Sequence, residues 1–245
     1  MLTLFIVAGG KPFVSERPFV VSGFLLDEHE TFQMSDRVKE IKLLTTWRRG
    51  PARITGHDII HGKGPFLSMP LDERKEMLHK LLSIIRKVQL TIIFSTISSK
   101  DEIPLFDAER IALRETLIRS CLAIKRAKGQ EVRVLLDQSQ WHHESIWGNG
   151  IRHWIDDSIG QLVDSQELFS LDPTHTDFTT VDAFGFLELA NIITYVFRLN
   201  VEFESNVKER FGRFEFPLKL YSRYIEDKIY AGLENDDPSA GIFRR

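Results

Sequence analysis

Leu2-Thr3-Leu4-Phe5-Ile6-Val7-Ala8-Gly9-Gly10 is the stretch on which the fold turns. A run of apolar and β-branched residues closed by two glycines reads as a strand buried on both faces, and such strands lie inside sheets covered by helices. Phe19-Val20-Val21-Ser22-Gly23-Phe24-Leu25-Leu26 is a second strand of the same kind. Gly9, Gly10, Pro12 and Pro18 punctuate a loop between them long enough for an antiparallel return, so the pair predicts an N-terminal hairpin. The first strand reaches its glycines without presenting a carboxylate.

Strands and helices alternate beyond the hairpin. Ser35-Asp36 reads as the cap of a helix with Val38, Ile41, Leu43 and Leu44 on its apolar face, ended at Gly50-Pro51. Ala52–Thr55 reads as a short extended piece. Pro70 opens an amphipathic helix with Asp72 and Glu73 in its first turn and Leu78, Leu81, Leu82 and Ile85 as its stripe. Leu90–Ile97 is rich in β-branched residues and predicts a strand. Asp107 is placed to cap a long helix ended by Lys128-Gly129, and Val132-Arg133-Val134-Leu135-Leu136-Asp137 follows as a strand. Strand, crossover helix and strand in succession predict a parallel portion of the sheet. Trp147–Leu162 reads as a less regular helix and Leu168–Leu171 as a short strand. Val181–Leu199 is apolar on nearly every side and predicts a helix packed on the sheet. The stretch from Glu202 to Leu233 reads as a helical extension, with Glu234–Arg245 frayed or docked on a partner.

Length and composition bound the function. The chain has 245 residues, a formal net charge of −3 and one cysteine. One α/β domain accommodates that length, and no linker divides the chain. The charge offers a polyanion no global attraction, so nucleic-acid contact requires a local basic patch. A single cysteine, Cys121, excludes an intrachain disulfide and a Cys-rich zinc site, and its apolar setting reads as a buried thiol. The apolar start lacks the basic region and length of a signal peptide, and no later apolar run approaches ~18 residues, so no membrane span and a cytoplasmic protein are expected.

Several motifs compete for chemistry. Gly9-Gly10-Lys11 lacks the Lys-Ser/Thr pair and the immediate helix of a phosphate-binding loop. Gly56-His57-Asp58-Ile59-Ile60-His61-Gly62 spaces two histidines as metal ligands on a helix would be spaced, yet the flanking glycines read as a loop. Trp141-His142-His143 and His153-Trp154 set imidazoles beside indoles that can stack bases or fill the core. Trp47-Arg48-Arg49 and Lys125-Arg126-Ala127-Lys128 sit near helix C-termini, where cations are favoured as solvated surface.

Four features together resemble the DUF3800 family. Its first strand reads like F-I-D-E-S-G, and here it is Phe5-Ile6-Val7-Ala8-Gly9-Gly10, with Val7 and Ala8 where two acids are expected. An E-[LI]-H-like stretch is matched by Arg53-Ile54-Thr55, with Arg53 in the acid's place. An acid at the end of the strand after the long helix is kept as Asp137. A late helix like L-Q-L-A-D-L-I-A-Y is matched by Leu187-Glu188-Leu189-Ala190-Asn191-Ile192-Ile193-Thr194-Tyr195, with Asn191 for its acid.

The resemblance implies a ribonuclease H-like mixed α/β sheet with an N-terminal antiparallel hairpin and flanking helices over residues 1–200, and a C-terminal helical extension over 201–245 packed on the same domain. It also implies a divalent-metal nuclease, in which Mg2+ or Mn2+ clamped by carboxylates activates water. Val7, Ala8, Arg53 and Asn191 each remove a ligand or oppose the metal. The first expectation is therefore a degenerate protein that binds a protein partner or nucleic acid without a cofactor. The alternative is a nuclease rebuilt on Asp137 and Glu188, with Asp182, His57 or His61 as further metal ligands. A structural subunit docking through its aromatic tail, Phe211–Tyr230, is the third.

Overall fold

The computed structural model describes residues 2–10, 18–46, 53–97, 105–126, 132–137, 171–179, 185–205, 211–231 and 241–244. Among the described residues, six strands form one sheet: β1 (Leu2–Gly9), β2 (Phe19–Asp27), β3 (Thr91–Ile97), β4 (Val132–Asp137), β5 (Leu171–Thr179) and β6 (Ile242–Arg244), in the order β5-β4-β1-β2-β3-β6. β1, β2 and β3 run antiparallel in succession, with Phe5 opposite Phe24 and Gly23 opposite Ile93. β4 lies parallel to β1 on its other side, Ile6 beside Leu136, and β5 continues parallel to β4. An antiparallel meander extended by parallel strands, with helices on both faces, is the ribonuclease H-like arrangement.

The hairpin, β3 and β4 follow their hydrophobic runs closely because strands buried on both faces leave the pattern no ambiguity. β5 departs from expectation. It begins at Leu171, where the expected strand ended, and runs through Pro173. Pro173 falls in a register shift between the pairs Val132–Leu171 and Val134–Thr176, at the sheet's edge, where a residue without an N–H is tolerated.

Two apolar layers flank the sheet. α4 (Leu105–Arg126) covers one face with Ala112, Leu113, Leu117 and Cys121 against Leu4, Ile6, Ala8 and Val134. α1 (Glu28–Thr46), α3 (Leu71–Ser83) and α5 (Gly185–Ser205) cover the other, where Phe5, Val7, Phe24 and Leu135 meet Met34, Leu81, Phe186 and Phe197. Between α1 and α3 lies the short α2 (Gly56–His61). α6 (Phe211–Leu220) follows α5 and passes into a π-turn over Tyr221–Ile225.

α1 starts seven residues before the expected cap. Its first turn is held by Asp27 at the end of β2, whose Oδ1 accepts the His29 N–H at 2.8 Å and whose carbonyl accepts from the Thr31 hydroxyl at 3.1 Å. Ser35, in mid-helix, serves another element: its hydroxyl accepts the Phe186 N–H at 3.1 Å, in the first turn of α5. Leu43 and Leu44, assigned to the apolar face, are exposed.

The tail also folds back on the domain. Tyr221, Tyr224 and Tyr230 are buried, and the Tyr224 hydroxyl lies 3.0 Å from His79 Nδ1 on α3. These three rings are part of the chain's own core; of the tail named as a docking surface, the Phe211 and Phe214 side chains lie outside the described residues. β6 pairs with β3, so Ile242–Arg244 covers the sheet's free edge. The Trp147–Leu162 helix, both Trp-His pairs, Trp47-Arg48-Arg49 and Lys128 lie outside the described residues.

Candidate functional site

Glu188, Asn191, Tyr195, Arg198 and Glu202 form one polar row along α5, beside which the helix also carries Thr194, Asn200, Glu204 and Ser205. The row's spacing of three, four, three and four residues puts its members on one stripe. The helix crosses the ends of β4 and β1, so successive members of the stripe meet different parts of the sheet's C-terminal pole. A Cβ on Gly9 would stand 2.7 Å from Thr194 Cγ2, and one on Gly10 would stand 3.2 Å from Arg198 Nη1. Gly10 also has φ of +101°, which strongly favours glycine. The glycines that close β1 are therefore what let α5 lie against its end.

Asp137 ends β4 fully buried. Asn191 donates an amide N–H to its Oδ2 at 3.1 Å and a second to the Leu187 carbonyl at 2.9 Å. Arg53 Nη2 reaches the same Asp137 oxygen at 3.5 Å. Val7 follows Ile6 in β1 and so lies beside Asp137 in the parallel register, on the face covered by α5. Ala8 points to the α4 face and belongs to the opposite core. Of Val7 and Ala8, only Val7 therefore faces the site, and it puts no donor atom there.

Glu188 is 3% exposed and meets different partners from Asp137. Its Oε1 accepts from Lys42 Nζ at 2.7 Å and from the Ile54 backbone N–H at 3.1 Å. The Arg53–Thr55 stretch thus ties both carboxylates, one through a guanidinium and one through a peptide N–H. Further along the stripe, Arg198 Nε lies 3.4 Å from Glu202 Oε1 in a buried pair whose facing atoms make no hydrogen bond. The Arg198 guanidinium stands over the Tyr195 ring at 4.8 Å. Asp137 and Glu188 at this pole, and Glu202 further along α5, each have a cation of the same chain against them.

The histidines fall on a helix, which corrects their assignment to a loop. Thr55 caps α2, its hydroxyl accepting the Asp58 N–H at 3.1 Å, and Gly62 ends it at φ of +64°. Arg74 of α3 then donates to the Ile59 and Ile60 carbonyls at 2.9 and 2.8 Å, satisfying the groups a helix end leaves open. The flanking glycines have local reasons to be there: Gly62 for its left-handed turn, and Gly56 because a Cβ would come within 2.9 Å of Tyr195 Cβ. His57 and His61 consequently face one way, their ring centroids 4.7 Å apart, with His61 Nε2 2.9 Å from the Tyr195 hydroxyl.

Asp137, Arg53 and Asn191 therefore come together; Glu188 binds Lys42 and Ile54; His57 and His61 gather on Tyr195. Asp182 lies outside the described residues. Among the described residues no three His, Cys, Asp or Glu side chains are grouped to hold a metal ion, and no helix is long and apolar enough to cross a membrane. Lys42, Arg198 and Glu202 had not been singled out from the sequence. The signal for the last two was present in the three-and-four spacing along α5; Lys42 carries none, because its partner is 146 residues away.

Fold and site together define a ribonuclease H-like domain whose carboxylate pole is internally neutralised. No family model matches the chain, and no curated protein matches it. Among solved structures it is similar to a chain of the PCNA:RNase HII complex from Archaeoglobus fulgidus, at 13% identity, covering 94% of this chain and 92% of that one, with a TM-score of 0.43. The fold assignment rests on strand order and direction, not on that likeness.

Proposed function

We propose that this chain is a divergent relative of the DUF3800 family that binds a nucleic-acid backbone at its ribonuclease H-like pole without cutting it. The observation that supports this reading is the pairing of Glu188 with Lys42, Asp137 with Arg53 and Glu202 with Arg198. Metal-assisted hydrolysis needs carboxylates whose charge is spent on the ions. Here each carboxylate faces a cation of its own chain, and Val7 supplies no ligand where the family resemblance expects one. Arg53 is 39% exposed and Lys42 19% exposed, so both reach the surface of the pole, where phosphate oxygens can share them.

A protein partner is the second reading, favoured by Leu43 and Leu44, which stand exposed just after Lys42 on α1. The test is incubation of the protein with Mg2+ or Mn2+ and labelled single- and double-stranded DNA and RNA. Binding without cleavage, weakened by salt and by Arg53→Ala, is expected. Metal-dependent cleavage that disappears in Asp137→Ala or Glu188→Ala would overturn the reading. Absence of nucleic-acid binding at low salt would move the assignment to the protein partner.

A further inference from the structure

α2 stands beside the carboxylate pole, and what it presents there is imidazole. Thr55 holds the start of this helix, Gly62 and Arg74 hold its end, and Gly56 seats it on Tyr195. A helix this short has no independent stability, so these clamps fix where its side chains stand. His57 is then braced on three sides. Asp58 Oδ1 lies 3.3 Å from its Nδ1, the His61 ring stands 4.7 Å away at 44°, and the Tyr195 ring meets it edge to face at 5.8 Å. Its side chain nonetheless stays 36% exposed. A core histidine would be covered and an ordinary surface histidine would turn freely; this ring is both held and presented.

Its place relative to the cations is set by α5. Asn191 and Tyr195 are four residues apart, a rise of about 6 Å. Asn191 holds Asp137, which Arg53 reaches, and Tyr195 packs against His57. Arg53 and His57 come from one short stretch of chain and so sit at successive turns of the same helix. Arg53, 39% exposed, can share a phosphate, and the imidazole stands one turn further along, a separation that the phosphate and base of one nucleotide can bridge.

We propose that His57 is a stacking platform for an unpaired nucleobase, which makes a single strand, and not a duplex, the preferred ligand of the pole. The inference rests on the nucleic-acid reading above and narrows it. Inside a duplex both faces of a base are taken by its neighbours, so a protein ring reaches a π-face only on an unpaired base or at a strand end. Stacking of this kind is sequence-tolerant and works beside cations that track the backbone. A ring already held in place also spares the ordering cost of the contact. The Asp58 carboxylate, 29% exposed, favours a neutral base over a phosphate at this end of the pole, because it repels an anion set directly on α2.

The experiment compares four ligands of one short sequence by fluorescence anisotropy at low salt: a single DNA strand, the same strand in RNA, the blunt duplex, and an abasic DNA strand that keeps the phosphates without the bases. Wild-type protein is expected to bind both single strands at least about fivefold more tightly than the abasic strand and the duplex, the lower end of what one stacked base contributes. His57→Ala should lower single-strand affinity by about the same factor and leave the other two ligands unchanged. His57→Phe, which keeps a ring and removes both nitrogens, should restore it, and Arg53→Ala should weaken binding of all four. Circular dichroism confirms that each variant is folded. Equal wild-type affinity for the single and abasic strands, unchanged single-strand affinity in His57→Ala, an equal loss on the abasic strand, or no rescue by folded His57→Phe would overturn the stacking proposal and leave the backbone-binding reading standing. Binding of none of the four would overturn both.

Discussion

Replacing Lys42 by methionine should be among the more damaging single changes on α1, although lysine is ordinarily a surface residue. The reason is its partner. Glu188 is 3% exposed, and among the described residues its Oε1 receives only the Ile54 N–H besides the Lys42 ammonium. Removing one member of a buried pair leaves an uncompensated charge, at a cost of about 3–5 kcal/mol. The reverse change behaves differently. Glu188→Gln keeps an acceptor for the Ile54 N–H, and Lys42, at 19% exposure, is not buried as a lone charge. Its cost should be about 1–2 kcal/mol, that of a lost charge-assisted hydrogen bond. In the double variant the buried charge is gone, so its destabilisation should fall below the sum of the single changes by about 1.5–3 kcal/mol. Urea unfolding followed by circular dichroism and by tryptophan fluorescence measures all three, with unchanged m-values as the check that the transition is the same. Additive single effects, or Lys42→Met costing less than about 1 kcal/mol, would refute the claim that Lys42 neutralises Glu188 inside the fold.

Three further outcomes follow from the geometry. Gly9→Ala places a methyl 2.7 Å from Thr194 Cγ2 and should destabilise by about 1–3 kcal/mol, with Thr194→Ser, which removes that methyl, restoring much of the loss in the double variant; equal unfolding midpoints for Gly9→Ala with and without the second change would contradict the contact. Arg53→Ala takes the guanidinium away from the fully buried Asp137 and should destabilise by about 1–3 kcal/mol, less than Lys42→Met because the contact is 3.5 Å and Arg53 is 39% exposed; an unchanged urea midpoint would mean that the pair contributes nothing. Burial pushes the Cys121 thiol up to about 12 and, as the largest influence, the Tyr221 phenol up to about 12 as well, so both stay protonated in the folded state where the unfolded chain ionises. Stability from these groups is therefore complete below pH 9 and declines toward pH 12, and native Cys121 should resist a disulfide reagent at pH 8 until denaturant is added; prompt labelling of the native protein would show that the thiol is accessible.

Much of the fold was legible because its strands are buried on both faces and announce themselves as unbroken apolar runs. β1, β2, β3 and β4 were each found within a residue or two of their limits. The misreadings share a cause, which is that a residue's local preference was satisfied somewhere else. Ser35 has a cap's chemistry and uses it on α5, 151 residues away, so its own helix begins without it. Gly56 and Gly62 have a loop's composition, but one makes room for Tyr195 and the other ends a helical turn. Pro173 has a breaker's character and is absorbed by a shift of register at the sheet's edge.

At the site, residue identities alone determined that Val7 offers no ligand, that Asp137 ends a strand and that α5 is a helix with Glu188 and Asn191 on one side, because these follow from side-chain chemistry and from the helical repeat. Tertiary structure decided the rest. Which cation meets which carboxylate depends on α1, the Arg53–Thr55 stretch and α5 converging on one pole, and ion pairs that span 84 to 146 residues leave no periodic trace in a sequence. The same holds for the histidines: their spacing was visible, but it is the Thr55 cap, the Gly62 turn and the Arg74 contacts together that make α2 a helix and bring the two rings to 4.7 Å.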